Sequence, residues 1–375
     1  MVIQQPALPA YRIPVFRELA RREGLEVLVR YGHDPALPNV EADGFAAEPS
    51  ETRSFGVGSR EVLWDGSQLR YATKRRADVL VLTWNAHYAS LPMALLRARL
   101  SGVGTVLWGH GYSKAEAGWR AGVRRWLGRR ADALLFYSAS VAERYAAVGF
   151  DAGRLFTAAN ALDQSPMQAA RAAWAGREEE LKRFRAERGL GDGSVALFVS
   201  RFAPANREDL LIEAAAVLKD RLPGFRVVLI GKGETAGELR ALAERLGVAD
   251  RVIMPGAIYG EANLAPWFLC SDVFVYPANV GLSLIHAMGY GLPVVVGDDL
   301  ASHNPEIDAL RPGENGAVFR DGDAGSLAGV LAGLFADREK LASMRMEAER
   351  TVTERFTLAR MVDGFEAAIR RASRR

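Results

Sequence analysis

The sequence predicts an α/β protein of two Rossmann-like domains, and three observations carry that prediction. Short runs rich in Val, Ile, Leu and Phe alternate with helix-period segments along the whole chain, the signature of parallel βαβ units. The 375 residues suit two domains of ordinary size better than one. A polar helical stretch over 166–192, running from Met167 to Arg188 and closing on Gly189-Leu190-Gly191-Asp192-Gly193, separates two such series.

In the first series, strands are expected near 2–4, 26–31, 79–83, 105–108, 133–137 and 155–158. Helices fall near 13–23, 88–100, 115–130 and 139–148. The stretch 34–70 scatters Pro, Gly and Asp and supports no assignment. The second series places strands near 195–200, 226–230, 252–254, 273–276, 293–296 and 317–319. Its helices fall near 207–220, 235–246, 263–269, 282–289, 325–334 and 337–354. Leu358 to Arg371 reads as an amphipathic helix with Met361, Phe365 and Ile369 on one stripe. The resulting division is 1–165, 166–355 and a terminal helix over 356–375, with a cleft expected between the two domains.

Composition sets the broad class. With 49% apolar and 25% charged residues the chain has enough side chains for two soluble cores. It has no run of eighteen uncharged apolar residues that could span a membrane, and the N-terminus lacks the pattern of a signal peptide. One cysteine, Cys270, cannot form an internal disulfide; it fits a reducing cytoplasm and reads as core filling. Residues 1–165 carry 21 Lys and Arg against 16 Asp and Glu, whereas the remainder carries 27 against 29. The basic first half suggests an anionic acceptor or a membrane surface rather than nucleic acid.

The most informative run is 273–296. It reads as a buried strand, a small-residue loop, a helix opening at Gly281-Leu282, a Gly-rich stop and a second buried strand. Free amides and the helix dipole favour a phosphate at such an opening, and Gly281 lets it approach the backbone. In an open α/β sheet this lies at the carboxyl ends of the strands, where ligands bind. The run reads as the diphosphate cradle of a nucleotide-sugar enzyme.

Other residues occupy equivalent strand ends. Arg201 follows the strand ending at Ser200, and its planar fork suits bidentate phosphate recognition; a solvated loop arginine fits the same position. Arg207 is a second cation nearby, for which a structural role reads better. Gly231 lies in Gly231-Lys232-Gly233, a turn that permits close ligand approach but lacks the full dinucleotide spacing. His110, between Gly109 and Gly111 beyond a buried strand, can donate or accept near neutral pH; a backbone-held loop histidine is the alternative. Tyr11 and Arg12 follow the first strand on the acceptor side, though Tyr11 equally suits bracing a helix; Trp84-Asn85 ends another strand with the same ambiguity.

The segment 119–130 places Trp119, Val123, Trp126 and Leu127 on one helical face, with Arg120, Arg124, Arg125 and Arg129 mostly around the others. An interfacial membrane helix has this look, and so does a helix packed on a sheet. Packing is the expectation for the tryptophans, with membrane attraction left open for the arginines. No His/Cys cluster has metal-ligand spacing, no Gly-x-Ser-x-Gly elbow occurs and no Walker lysine follows a Gly-rich loop. Hydrolase and phosphoryl-transfer readings therefore have no residues to stand on.

Taken in order, these elements resemble the retaining GT-B glycosyltransferases of the large glycosyltransferase family 4 type. Ser200-Arg201 followed by Leu210-Leu211-Ile212-Glu213-Ala214 is similar to one of its elements. So are Val228 to Gly233, Arg251 to Gly256, Ser271 to Pro277 and Gly291 to Val294. Asn160-Ala161-Leu162-Asp163 looks like the handover between domains, and the last helix like the one that crosses back onto the first domain. The chain departs from the pattern where the family has two glutamates eight positions apart, holding Ala278 and His286 instead. Asn206 stands in place of a phosphate-binding lysine, with Arg207 beside it. Pro305-Glu306 resembles a later Pro-Glu of polysaccharide-type members.

The resemblance implies transfer of a sugar from a nucleoside diphosphate to a hydroxyl acceptor such as a lipid-linked glycan, with retention and without a metal or other cofactor. Arg201, Arg207, Gly231, Gly256, Gly281, Leu282, Ser283 and His286 would hold the donor, and His110 and Arg201 would act at the reacting centre. Tyr11, Arg12 and Asn85 would face the acceptor. A catalytically silent relative that binds a sugar nucleotide or a partner subunit is the rival reading that Ala278 and Asn206 motivate, and a sugar-nucleotide epimerase is a second.

Overall fold

The computed structural model describes residues 1–34, 37–57, 60–112 and 118–374. It divides into two compact units, Met1–Ala161 with Leu358–Arg375, and Leu162–Thr357.

The first unit is built on a seven-stranded parallel sheet. Its elements are β1 (Val2–Gln5), α1 (Ile13–Ala20), β2 (Leu28–Tyr31), β3 (Ala46–Pro49), a hairpin of β4 (Thr52–Val57) and β5 (Arg60–Asp65), and α2 (Gly66–Tyr71). They continue as β6 (Val79–Thr83), α3 (Ser90–Leu100), β7 (Gly104–Gly109), α4 (Gly118–Gly128), β8 (Ala133–Phe136), α5 (Ala139–Ala147) and β9 (Leu155–Thr157). The strand order is β3-β2-β1-β6-β7-β8-β9. The region 34–70, which the sequence leaves unassigned, supplies the edge strand β3 and the separate hairpin. The start of the helix expected at 115–130 lies outside the described residues at 115–117.

Strand alternation explains why this sheet is covered on both faces. Ile3, Val81, Val106 and Leu135 face a core with Phe16 and Leu19 of α1, whereas Val2, Leu80, Leu82, Leu107 and Leu134 face Leu91 and Leu95 of α3 and Leu127 of α4. The last helix, α14 (Leu358–Ser373), adds Met361, Phe365 and Ile369 to the first of these cores. There Gly364 lets it lie against the chain at Thr157, whose carbonyl would sit 2.0 Å from an added Cβ.

The second unit opens with α6 (Ser165–Ala173) and α7 (Glu178–Glu187), two helices where the sequence suggests one, interrupted by Gly176 at φ +71°. Then come β10 (Val195–Val199), α8 (Asp209–Leu218), β11 (Arg226–Ile230), α9 (Ala236–Arg245), β12 (Val252–Gly256), α10 (Glu261–Leu269) and β13 (Val273–Val275). α11 (Leu282–Gly289), β14 (Val294–Gly297), β15 (Gly316–Phe319), α12 (Ala324–Ala336) and α13 (Arg338–Arg355) complete it. Its six parallel strands run β12-β11-β10-β13-β14-β15. That order reverses direction between β10 and β13, the switch point at which open α/β sheets bind ligands. Cys270 is buried, its thiol pushed up to about 11 by burial, so core filling describes it.

Candidate functional site

The two strands that flank the switch point end at Ser200-Arg201 and at Tyr276-Pro277, and polar side chains tie these ends together. The Tyr276 hydroxyl donates to Ser200 Oγ at 3.0 Å. Asn206 is buried; its Nδ2 donates to the Arg201 carbonyl at 2.7 Å, and its own carbonyl accepts from the Ala278 amide at 3.3 Å. Asn206, standing where the resemblance puts a lysine, therefore joins the Arg201 loop to the loop that leads into α11. Glu208, also buried, accepts from the Ala203 amide at 2.9 Å, and burial raises its carboxyl above the ordinary range.

The approach to α11 is held just as firmly. Asn279 sits at φ +61°, a left-handed conformation that Asn tolerates, and its carbonyl accepts from Asn304 Nδ2 at 3.0 Å. The Val280 amide donates to His303 Nδ1 at 3.1 Å, while the Val280 carbonyl accepts from the Asn304 amide at 2.9 Å. Gly281 is the N-cap of α11 and caps nothing with a side chain; its carbonyl accepts from the Leu284 amide at 2.9 Å, and the amides of Leu282 and Ser283 have no side-chain cap. An added Cβ at Gly281 would meet Asn304 at an ordinary 3.4 Å. The glycine leaves that opening bare rather than relieving a clash.

Of the two arginines here, Arg201 is exposed and has no acidic partner among the described residues. Arg207 is already committed: Nε and Nη2 donate to the Asp209 carboxylate at 3.0–3.2 Å, and that bond raises its pKa further. The sequence shows two neighbouring cations; the fold leaves one of them available. Beside Arg201 lies a cavity of about 350 Å³, between Ser200-Arg201, Gly231-Lys232 and Ala257-Ile258-Tyr259, within the usual range for a small-molecule site. Gly231 lines it for a packing reason, because a Cβ there would stand 1.9 Å from the Ser200 carbonyl. Gly256 ends β12 at φ +90°, one residue before this lining.

His286 is not a free imidazole. Its Nε2 lies 2.9 Å from Glu261 Oε1, and the Tyr290 hydroxyl donates to the same carboxylate at 2.7 Å. Burial pushes the Glu261 carboxyl up, but the bonds from His286 and Tyr290 more than reverse it, leaving the pKa below the ordinary value. Glu261 was invisible as a site residue in the sequence. His286 and Tyr290 are four apart on one helix, but nothing local signals that the first residue of α10 closes on them. Glu306 is buried in the turn after Asn304.

In the first unit the strand ends are aromatic. His110 is exposed just past β7, its ring 4.8 Å from that of Tyr137. Tyr11 is half-buried. Arg12, expected on the acceptor side, is 6% exposed, with its guanidinium carbon 4.7 Å from the Trp108 ring. Asn85 follows β6 and its side chain accepts from the His87 amide at 2.9 Å, a local turn. The packing expected of Trp119 and Trp126 is overturned: they are 56% and 44% exposed. Leu127 alone of their face is buried, because α4 touches the sheet only at its last turn.

Comparison with known proteins agrees with both halves of this architecture. The family model described as Glycosyltransferase Family 4 matches residues 15–165, and that described as Glycosyl transferases group 1 matches residues 180–351. The chain is 28% identical over 275 residues to a GDP-mannose-dependent alpha-(1-6)-phosphatidylinositol monomannoside mannosyltransferase of Mycolicibacterium smegmatis, covering 68% of each. To a D-inositol 3-phosphate glycosyltransferase of Streptomyces scabiei it is 34% identical over 185 residues, 46% of this chain and 40% of that one. Anabaena HepE, solved in complex with UDP, superposes with a TM-score of 0.73 at 18% identity over 97% of both chains, a likeness of fold.

Proposed function

We propose that this chain, a GT-B glycosyltransferase of the group 1 and family 4 type, moves a sugar from a nucleoside diphosphate to a hydroxyl acceptor with retention of anomeric configuration. The observation that carries the donor half is Arg201, exposed and without an acidic partner among the described residues, at the same switch point as the start of α11, which has no side-chain cap. A diphosphate leaving group needs fixed positive charge where its own charge grows, and donors locked in advance cost no reorganisation. The cavity between Ser200, Lys232 and Tyr259 would take the nucleoside. A ribose would meet the Glu261–His286 pair rather than a free imidazole.

In the step itself the bond from the anomeric carbon to the diphosphate oxygen breaks, and that oxygen keeps the electron pair. The acceptor oxygen bonds the same carbon from the same face, and its proton passes to a phosphate oxygen of the leaving group. Such a front-face displacement needs no protein nucleophile. His110 is the first unit's candidate for contact with the transferred sugar, and an alanine there that leaves kcat unchanged removes it. The test of the whole reading is titration with UDP- and GDP-sugars, with product analysis in the presence and absence of acceptor. Absence of any nucleotide binding, or an epimerised donor as product, would sink it.

The acceptor is read as membrane-linked. No described helix is long and apolar enough to cross a bilayer. α3 nevertheless packs on one face of the first sheet and α4 reaches that face at Leu127, and each turns an apolar stripe outward: Met93, Leu96 and Leu100 on one, Trp119, Val123 and Trp126 on the other, 39–79% exposed. Arg97, Arg99, Arg120, Arg124, Arg125, Arg129 and Arg130 flank them, and no acidic residue lies among the described residues of 90–131. Aromatic and aliphatic stripes rimmed by arginine fit an anionic bilayer surface. Sedimentation with phosphatidylglycerol vesicles should capture the protein and neutral phosphatidylcholine vesicles should not; equal capture by both refutes the assignment.

A further inference from the structure

We infer that the first unit holds an oxyanion-binding niche at Arg12, which takes a phosphate or carboxylate carried by the sugar acceptor; the acceptor part rests on the transferase reading above. Arg12 is the only arginine among the described residues that is buried to this degree, at 6% exposure. An arginine drawn that far from water ordinarily finds a carboxylate or carbonyls for its donors. Three less deeply buried arginines of this chain do. Arg171 forks onto Glu349 and the Gly289 carbonyl. Arg185 reaches the carbonyls of Gly191, Gly193 and Cys270, and Arg345 those of Ser271 and Asp272. The Arg12 guanidinium has no such acceptor among the described residues.

Three rings hold it instead. Its guanidinium carbon is 4.7 Å from the Trp108 ring, 5.1 Å from Tyr11 and 5.4 Å from Tyr137. Aromatic faces attract the cation through its flat side and consume none of its N–H donors, which lie in the guanidinium plane. The three rings hold the fork and offer it no acceptor, the state expected of a residue whose acceptor arrives with a ligand. The rim is open, since His110 is exposed and Tyr11 and Tyr137 are half-buried. Arg12 is also the N-cap of α1, so the helix dipole adds positive potential at the same spot. Tyr11, Arg12, Trp108, His110 and Tyr137 lie at or beyond the carboxyl ends of β1, β7 and β8, the ligand-binding edge of a parallel sheet.

The experiment titrates the full-length protein with phenyl phosphate, with benzoate and with neutral benzyl alcohol, and separately with UDP and GDP. The proteins compared are wild type, Arg12→Gln, Arg12→Lys and Tyr11→Ala. The niche predicts binding of at least one anion and not the alcohol, and which anion binds decides between phosphate and carboxylate. Loss of the fork in Arg12→Gln should weaken the anion about tenfold or more, with Arg12→Lys intermediate because a point charge replaces a bidentate donor. Nucleotide affinity should stay within about twofold throughout, because the niche belongs to the other unit. Should Arg12→Gln not fold, Arg12→Lys and Tyr11→Ala carry the same comparison. Anion affinity unchanged in the variants, or no anion bound by wild type, overturns the niche. A parallel loss of UDP and GDP would assign Arg12 to the donor and overturn the acceptor assignment. Failure of wild type to bind any nucleotide counts instead against the transferase reading.

Discussion

The ends of the two sheets solve the same problem with different chemistry. In the second unit the loops beyond β10 and β13 are fixed by amide, imidazole and carboxyl side chains bonded to backbone: Asn206, Glu208, His303 and Asn304. In the first unit the corresponding edge is a cluster of rings, Trp108, Tyr137 and His110, around a cation. Hydrogen bonds to backbone set loop positions to within tenths of an ångström and leave Arg201 free to meet charge. Rings set a surface and an orientation but satisfy no donors. The comparison teaches that the polar edge is built before a ligand comes, whereas the aromatic edge is completed by one.

Four measurements put that contrast at risk. The largest effect is expected at Arg201: Arg201→Ala should lower transfer or donor hydrolysis by about 10²–10³, or roughly 3–4 kcal/mol, with little change in melting temperature. Turnover equal to wild type would mean that the charge at this edge is not catalytic. Next is a pair of arginines of opposite standing. Arg185→Met strips donors from three carbonyls and should cost about 2–3 kcal/mol in urea unfolding. Arg12→Met leaves no orphan among apolar rings and should change stability by about 1 kcal/mol or less. Similar losses for the two would erase the difference between the edges.

The two site glycines should separate in the same way. Gly231→Ala drives a methyl into the Ser200 carbonyl and should destabilise by about 1–3 kcal/mol, whereas Gly281→Ala should leave stability within about 1 kcal/mol and reduce turnover. Denaturant midpoints and initial rates on the same preparations decide it. The smallest effect concerns Glu261. Its pKa in the fold lies below the ordinary 4.5, so its ionised form contributes stability above that pH, and the contribution is lost as the pH falls through the folded value. The stability gap between wild type and Glu261→Gln should therefore be present at pH 7 and close below about pH 4.5. A gap that stays constant across that range would show that the His286 and Tyr290 contacts are not what sets it.

Much of this was legible in the chain itself. Runs such as Val195–Val199 and Val294–Gly297 are apolar throughout because both faces of a parallel strand are buried, so composition alone marks them. The stripe of Met361, Phe365 and Ile369 announced a docked helix by its period, and the glycine and small residues after β13 announced the loop and helix start of α11. The edge strand β3 and the hairpin of β4 and β5 were not legible, because a strand with exposed faces such as Ala46–Pro49 carries no apolar run. Nor was the break between α6 and α7, where Gly176 interrupts an otherwise helical polar stretch.

The class of the protein follows from the chain alone, since the order of strands, helices and glycine turns is written in local patterns of burial and backbone freedom. Which side chains are available for chemistry was decided only in three dimensions. Arg207 is tied up by Asp209, His286 by Glu261, and Arg12 is enclosed by rings, while Arg201, of the two arginines expected to meet phosphate, stays open. Local patterns report how one residue relates to its chain neighbours and to water. Charge pairing is settled by partners that folding brings from elsewhere in the chain, or by how a nearby acid is turned, and neither has a period in the sequence.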